Sequence, residues 1–273
     1  MVTNLVLTRT LARPVAGSAS RIVSVTARNV HAIRHSGYWL VVLSGFFEPV
    51  LYLLAIGIGV GGLVGSFELP DGRTVSYAAF VAPAMLAASA MNGALAESTF
   101  NFFARMRWVK LYDGMVATPL RPLEIALGEL GWALIRGLLY SVAFLSIMVG
   151  LDLTTAGWAV PAALASILVG AAFGGLGMAV ATLLRTWQDF DYLGIVQLAL
   201  FLFSGTFAPV ASYPPAMQWI IQATPLYQAV ELVRDLTTGR PGWATLGHAA
   251  YLAIMGALGL AFAARRMGRV LCK

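Results

Sequence analysis

The stretch from Phe203 to Leu236, FSGTFAPVASYPPAMQWIIQATPLYQAVELVRDL, decides the fold. It follows an apolar run and is itself mostly apolar, yet four prolines interrupt it. They are Pro209, Pro214, Pro215 and Pro225. Interrupted backbone is tolerated at membrane depth only where protein or a water-filled cavity shields it. The stretch therefore predicts short re-entrant or outer-face helices, at about Met217–Gln222 and Leu226–Leu236. An ordinary external loop, the alternative, would be more polar.

The composition places the whole chain in a membrane. Of its 273 residues 59% are hydrophobic and 11% charged, and the mean hydropathy is +0.79. A soluble domain averages about 25% charged residues, so the predicted fold class is all-α, a polytopic membrane protein. One cysteine and three scattered histidines predict neither a disulfide nor a metal site. The net charge of +6 indicates topology and contact with anionic lipid rather than nucleic acid, because basic residues alternate with the apolar runs.

Six transmembrane helices are predicted from apolar runs of about 20 residues. Their approximate bounds are 38–62, 77–96, 125–149, 158–184, 192–207 and 246–264. An even number of spans places both termini on one side. Of the 18 lysines and arginines, 14 belong to that side and three to the opposite loops, which predicts cytoplasmic termini. We expect a multi-pass protein of the bacterial cytoplasmic membrane.

One transmembrane domain, residues 20–270, is predicted between short cytoplasmic tails at 1–19 and 271–273. Within it, residues 20–35 place apolar side chains on one helical face and basic side chains on the other. This pattern predicts an amphipathic helix at the inner membrane interface. Gly170 and Gly174, four residues apart, are typical of close helix packing or of self-association.

Residues in the opening stretch resemble the signature of type-2 ABC exporter permeases. They are Ser204, Gly205, Pro209, Pro214, Pro225 with Leu226, Glu231 and Arg234. The stretches 46–64, 77–99 and 110–130 look like the permeases that export lipooligosaccharides (nodulation factors) and their drug-exporting relatives. The resemblance covers roughly residues 20–270.

The resemblance implies a partner and a substrate class. In that family two permease subunits, here a homodimer, form the pathway, and two cytoplasmic ATPase subunits drive it. The chain contains no GxxxxGK[ST] loop, so ATP and magnesium are expected in the ATPase, and the permease is expected to bind no cofactor and to have no catalytic residue. The implied substrate is amphiphilic: a lipid-linked oligosaccharide, another glycolipid or a hydrophobic drug. The proline-rich residues are expected to form the outer gate.

Phe100–Leu111 mixes aromatic and basic side chains and is the candidate contact with the ATPase. By resemblance it belongs to the coupling region. The candidate coupling residues are Arg105, Arg107, Trp108, Lys110 and Tyr112. Anchoring to lipid headgroups is the alternative, and both roles are compatible.

Two charges within predicted spans have two possible roles. Glu48 and Arg136 lie about 15 Å and 18 Å from the inner face at about 1.5 Å per helical residue. They either neutralise each other or line a polar path for a substrate headgroup. Glu97 and Glu129 are expected to pair with nearby arginines.

Two other classes of function compete with the permease. A membrane transferase needs clustered acids, and Asp189 with Asp191 is the candidate pair. An ion-driven carrier uses buried carboxylates and broken helices, for which Glu48 is the one candidate.

Overall fold

The computed structural model describes residues 17–34, 47, 50, 51, 53–68 and 74–271. Most of these residues are helical. The α-helices are α1 (Ser18–Arg34), α2 (Gly61–Val64), α3 (Tyr77–Leu95), α4 (Leu111–Val116), α5 (Pro122–Gly150), α6 (Ala156–Ala181), α7 (Asp189–Leu202), α8 (Pro215–Ala223), α9 (Pro225–Thr237) and α10 (Trp243–Leu271). Wider π-helical turns occupy Leu53–Val60, Ala96–Asn101 and Ala104–Trp108, and Val210–Ser212 is a 3₁₀ turn.

A small antiparallel hairpin departs from the all-α prediction. Strands β1 (Ser66–Glu68) and β2 (Thr74–Ser76) pair with Phe67 opposite Val75. Three residues per strand are too few for a period of two to stand out in the sequence. The side chain of Ser76 then accepts a hydrogen bond from the Ala79 amide and caps the start of α3.

Four helices in the described part of the chain are long and apolar enough to cross a membrane. They are Tyr77–Trp108, Pro122–Gly150, Ala156–Ala181 and Trp243–Leu271, which correspond to the predicted second, third, fourth and sixth spans. About half of the predicted first span, including most of residues 38–52, lies outside the described residues. The fifth corresponds to α7, whose 14 residues extend only about 21 Å against a hydrocarbon core of about 30 Å. These helices indicate a multi-pass membrane fold, and the count of six transmembrane helices stays a prediction.

The prolines of the opening stretch begin helices as well as interrupt them. Pro215 and Pro225 occupy the first turns of α8 and α9, where the missing amide has no partner to lose. Pro209 directly precedes the 3₁₀ turn. The side chain of Thr224 accepts from the Tyr227 amide and caps α9. The two predicted short helices are therefore present, while their position relative to the membrane stays a prediction.

Glycines bring α6 and α10 into backbone contact. A Cβ added at Gly175 would lie 2.4 Å from the carbonyl oxygen of Gly256, and one at Gly259 would lie 2.6 Å from the carbonyl carbon of Gly175. Gly170 and Gly174, the pair singled out in the sequence, instead face Leu side chains of α5. Small residues thus permit close helix packing within this chain.

The N-terminal helix α1 packs against the first half of α5. A Cβ at Gly128 would lie 2.4 Å from the Cβ of Val25, and the Thr26 hydroxyl donates to the Gly128 carbonyl at 2.9 Å. Val25 and Asn29 are buried there, whereas Val23 is exposed. Helix α1 therefore matches the predicted bounds to within two residues at its start, and its location at the membrane interface stays a prediction.

Candidate functional site

A buried ion network joins three segments on the predicted cytoplasmic side. Glu97, 4% exposed, pairs with Arg105 at 3.0 Å and with Arg136 at 2.6 Å. Glu129, 3% exposed, pairs with Arg28 at 2.7 Å and also with Arg105. The expectation that both glutamates pair with nearby arginines is confirmed. Because a buried charge is costly without its partner, these pairs hold α1, α5 and residues 96–108 in one arrangement.

Arg136 has partners that the sequence analysis did not assign to it. Besides Glu97, its guanidinium donates to the hydroxyl of Tyr140 at 3.2 Å. Glu48 lies outside the described residues, so its pairing with Arg136 and their joint role in a substrate path stay predictions. Arg136 therefore has an acidic partner in Glu97, which it shares with Arg105.

The network also explains why the second membrane helix continues past its predicted end. Residues 96–108 contain Glu97 and two arginines, which the hydropathy search treats as a loop. The helical turns continue to Trp108 because Glu97 and Arg105 pair with each other and with charges on α5, whereas Arg107 is exposed. Lys110 then adopts a left-handed conformation with φ of +51°, and the chain turns into α4.

An aromatic cluster covers the end of this helix. The indoles of Trp108 and Trp187 stack with their centroids 5.3 Å apart. Phe100 packs edge-on against Trp187, and Phe103 contacts both Trp108 and Phe190. The two tryptophans are 55% and 51% exposed, so they present an apolar surface to a partner or to lipid. The sequence did not predict Trp187 as part of this surface, because its stacking partner lies 79 positions earlier in the chain.

The five predicted coupling residues fall into two groups, three that are exposed and two that are wholly or partly buried. Arg107, Trp108 and Lys110 are exposed. Tyr112 has no exposed area, its hydroxyl has no acceptor among the described residues, and burial raises its pKa well above the usual range. Arg105 holds both glutamates of the network. Tyr112 and Arg105 therefore stabilise the segment from within the chain. Contact of the exposed residues with an ATPase stays a prediction.

Arg234 organises the predicted outer segment. Its guanidinium pairs with Glu231, donates to the carbonyl of Gly205 at 3.0 Å and lies 4.2 Å from the ring centroid of Phe80. Gly205 has a φ of +70°, which a residue with a Cβ rarely adopts. Ser204, fully buried, shares a hydrogen bond with the Thr206 hydroxyl. The signature residues thus fasten the end of α7 to α9 and α3, and a gating role for them stays a prediction.

A pair of amides connects α3 with α7 and was not singled out from the sequence. The Gln197 side chain donates to the Asn92 side-chain oxygen at 2.6 Å, and both residues are half-buried. No residue of α7 is fully buried in the chain. Polar side chains on an otherwise apolar membrane helix are functional candidates.

Of the acidic pair considered for a transferase, Asp189 bonds to the local backbone. The carboxylate of Asp189 accepts from the amides of Thr186 and Arg185, and these bonds lower its pKa. Asp191 is exposed. A carboxylate held by two backbone amides stabilises the turn before α7.

The chain belongs to a family of membrane transport proteins. Residues 21–238 match the ABC-2 type transporter family, and the protein is accordingly a multi-pass membrane subunit of an ABC transporter. It is similar to Nodulation protein J of Sinorhizobium fredii (strain NBRC 101917 / NGR234), 34% identical over 78% of this chain and 80% of that protein. Nodulation protein J of Rhizobium leguminosarum bv. viciae is 34% identical over 73% of this chain and 76% of its own length. The protein of that name from Rhizobium meliloti (strain 1021) is 31% identical over 73% and 75%.

Proposed function

We propose that this chain is the permease subunit of an ATP-driven exporter, which moves an amphiphilic substrate out across the bacterial cytoplasmic membrane. Two copies of the permease work with two copies of a separate cytoplasmic ATPase that binds ATP and magnesium. The substrate is a lipid-linked oligosaccharide, another glycolipid or a hydrophobic drug. Family membership and the likeness to Nodulation protein J support the class of transporter.

The ion network is the observation that best supports this proposal. An ATPase that docks on the exposed tryptophans applies its motion to residues 96–116. The paired charges of Glu97 and Glu129 prevent this segment from moving alone, because separating a buried pair is strongly unfavourable. The motion therefore passes to α1 and to α5 together, and a change in the tilt of α5 opens or closes the membrane path.

The aromatic cluster gives the motion a second route. Trp187 stacks on Trp108 and lies two residues before α7, and the carboxylate of Asp189 stiffens the turn between them. A displacement of the docking surface therefore reaches α7 as well. Helix α7 presents Gln197 and an exposed apolar face, which suit the polar and apolar parts of an amphiphilic substrate.

The experiment is to co-express the chain with the ATPase encoded beside it and to measure both co-purification and ATP hydrolysis in nanodiscs. We expect Trp108→Ala to weaken the complex at least about tenfold, because exposed tryptophans are frequent interface hot spots. Trp219→Ala is the matched control, since Trp219 is 77% exposed but lies in α8 on the predicted outer side. The control is expected to bind and stimulate the ATPase like the unaltered chain.

A network variant separates docking from transmission. Glu129→Gln leaves the exposed surface intact, so the ATPase should still bind, but transport should uncouple from hydrolysis. An active complex that is indifferent to both Trp108→Ala and Glu129→Gln would refute the coupling assignment. Export that persists without ATP and stops when the proton gradient collapses would refute the ATP-driven mechanism itself.

A further inference from the structure

A cavity of about 380 Å³ lies beside α9 on the predicted outer side of the protein. Three segments of the chain form its wall: the start of α3, the loop between α5 and α6, and the end of α9. Its volume falls within the range of about 300–1,000 Å³ that is usual for small-molecule sites. Two other cavities have walls formed almost entirely by apolar side chains.

Several polar groups around this cavity are unused within the described part of the chain. The Nε atom of Arg234 is buried and has no acceptor, although the other two guanidinium nitrogens are bonded. The exposed carboxylate of Asp152 has no bonded partner among the described side chains, and its backbone has a φ of +55°. Thr155 precedes α6 without using its hydroxyl as a helix cap. The Nε atom itself is out of reach of a ligand, but the exposed groups of Asp152 and Thr155 line the cavity, so a ligand that bonds to them gains affinity.

The charges and hydrogen-bonding groups restrict the chemistry of that ligand. Among the described residues, Glu231 balances the charge of Arg234 in the wall and Asp152 adds one negative charge, which disfavours an anion. A small cation would face the guanidinium of Arg234, and a purely apolar ligand would leave the polar groups without partners. A neutral ring with several hydroxyls supplies donors and acceptors, and the indole of Trp158 in the wall suits its apolar face.

We propose that this cavity binds a neutral carbohydrate group. The carboxylate of Asp152 accepts hydrogen bonds from sugar hydroxyls, the exposed hydroxyl of Thr155 donates to a hydroxyl oxygen, and Trp158 packs against the ring. The binding is independent of the direction of transport. The further role of the cavity, as the place where the headgroup of an exported glycolipid is released, rests on the proposed function.

Saturation-transfer NMR on the full chain in nanodiscs of phosphatidylcholine and phosphatidylglycerol tests this inference, with the neutral disaccharide cellobiose as probe. Cellobiose should receive saturation. Asp152→Asn should raise its dissociation constant about fivefold, because a charge-assisted hydrogen bond becomes a neutral one. Asparagine tolerates a positive φ, so the turn is retained. Asp191→Asn is the matched control, since this exposed acid lies on the predicted opposite side, and it should bind cellobiose as the unaltered chain does.

Trp158→Phe is the second variant, and it should weaken binding while the thermal midpoint identifies any loss of folding. The proposal fails if cellobiose receives no saturation, if Asp152→Asn and Trp158→Phe both leave its binding unchanged, or if the anion glucuronate binds more tightly. Co-purification with the ATPase is measured on the same variants. If the unaltered chain binds and stimulates the ATPase but gives cellobiose no saturation, the sugar site alone is overturned. If the unaltered chain binds cellobiose but has no ATPase partner, the exporter proposal alone is overturned.

Discussion

Replacing Gly175 by alanine tests the backbone contact between α6 and α10. The new Cβ would lie 2.4 Å from the carbonyl oxygen of Gly256, and ordinary contact begins near 3.4 Å, so the helices must separate by about 1 Å. The obstructing atoms belong to backbone, so no side chain rotation relieves the overlap. Overpacking lowers the free energy of unfolding by up to about 3 kcal/mol. The better helix propensity of alanine offsets about 1 kcal/mol of this loss.

The expected net loss is therefore about 2 kcal/mol, which lowers the melting temperature by roughly 4–8 °C for a chain of this size class. Thermal unfolding of the purified protein in detergent, followed by intrinsic fluorescence, measures this shift. Gly137→Ala is the matched control, because Gly137 lies in the interior of α5 and nothing is within 4 Å of its added Cβ. The control should be unchanged or slightly more stable. Equal midpoints for Gly175→Ala and Gly137→Ala would refute the α6–α10 contact.

Three further substitutions test other parts of the structure by the same thermal assay. Glu129→Gln leaves two arginines of the ion network without their shared partner and should lower the free energy of unfolding by about 3 kcal/mol. A loss below about 1 kcal/mol would contradict the buried network. Gly128→Ala places a Cβ 2.4 Å from that of Val25 and should weaken the contact between α1 and α5 by about 1–3 kcal/mol. Proteolysis within residues 18–34 should become faster as well. Unchanged proteolysis would argue against that packing. Thr224→Ala removes the cap on the Tyr227 amide and should cost about 1 kcal/mol; an unaltered midpoint would show that the cap contributes little.

Local sequence properties predicted the membrane class, the approximate positions of four long helices and the two short helices after α7. These features depend on the length of an apolar run or on the residue that begins a helix, and both belong to a few consecutive residues. The π-helical extension to Trp108 was missed for the same reason. Its charges are unfavourable in lipid when considered alone, and they become acceptable only when Arg136 pairs with Glu97 and Glu129 pairs with Arg105.

The sequence by itself determined that this chain lies in a bilayer and, through its resemblance to a transporter family, what kind of work it does there. Only the tertiary structure decided that Glu97 is the partner of Arg136, that Trp187 stacks on Trp108, and that Asp152 lies beside the same cavity as Arg234. The physical reason is that hydrophobic length and helix initiation are local, whereas ion pairs, stacked rings and cavities depend on which helices pack together and at what distance.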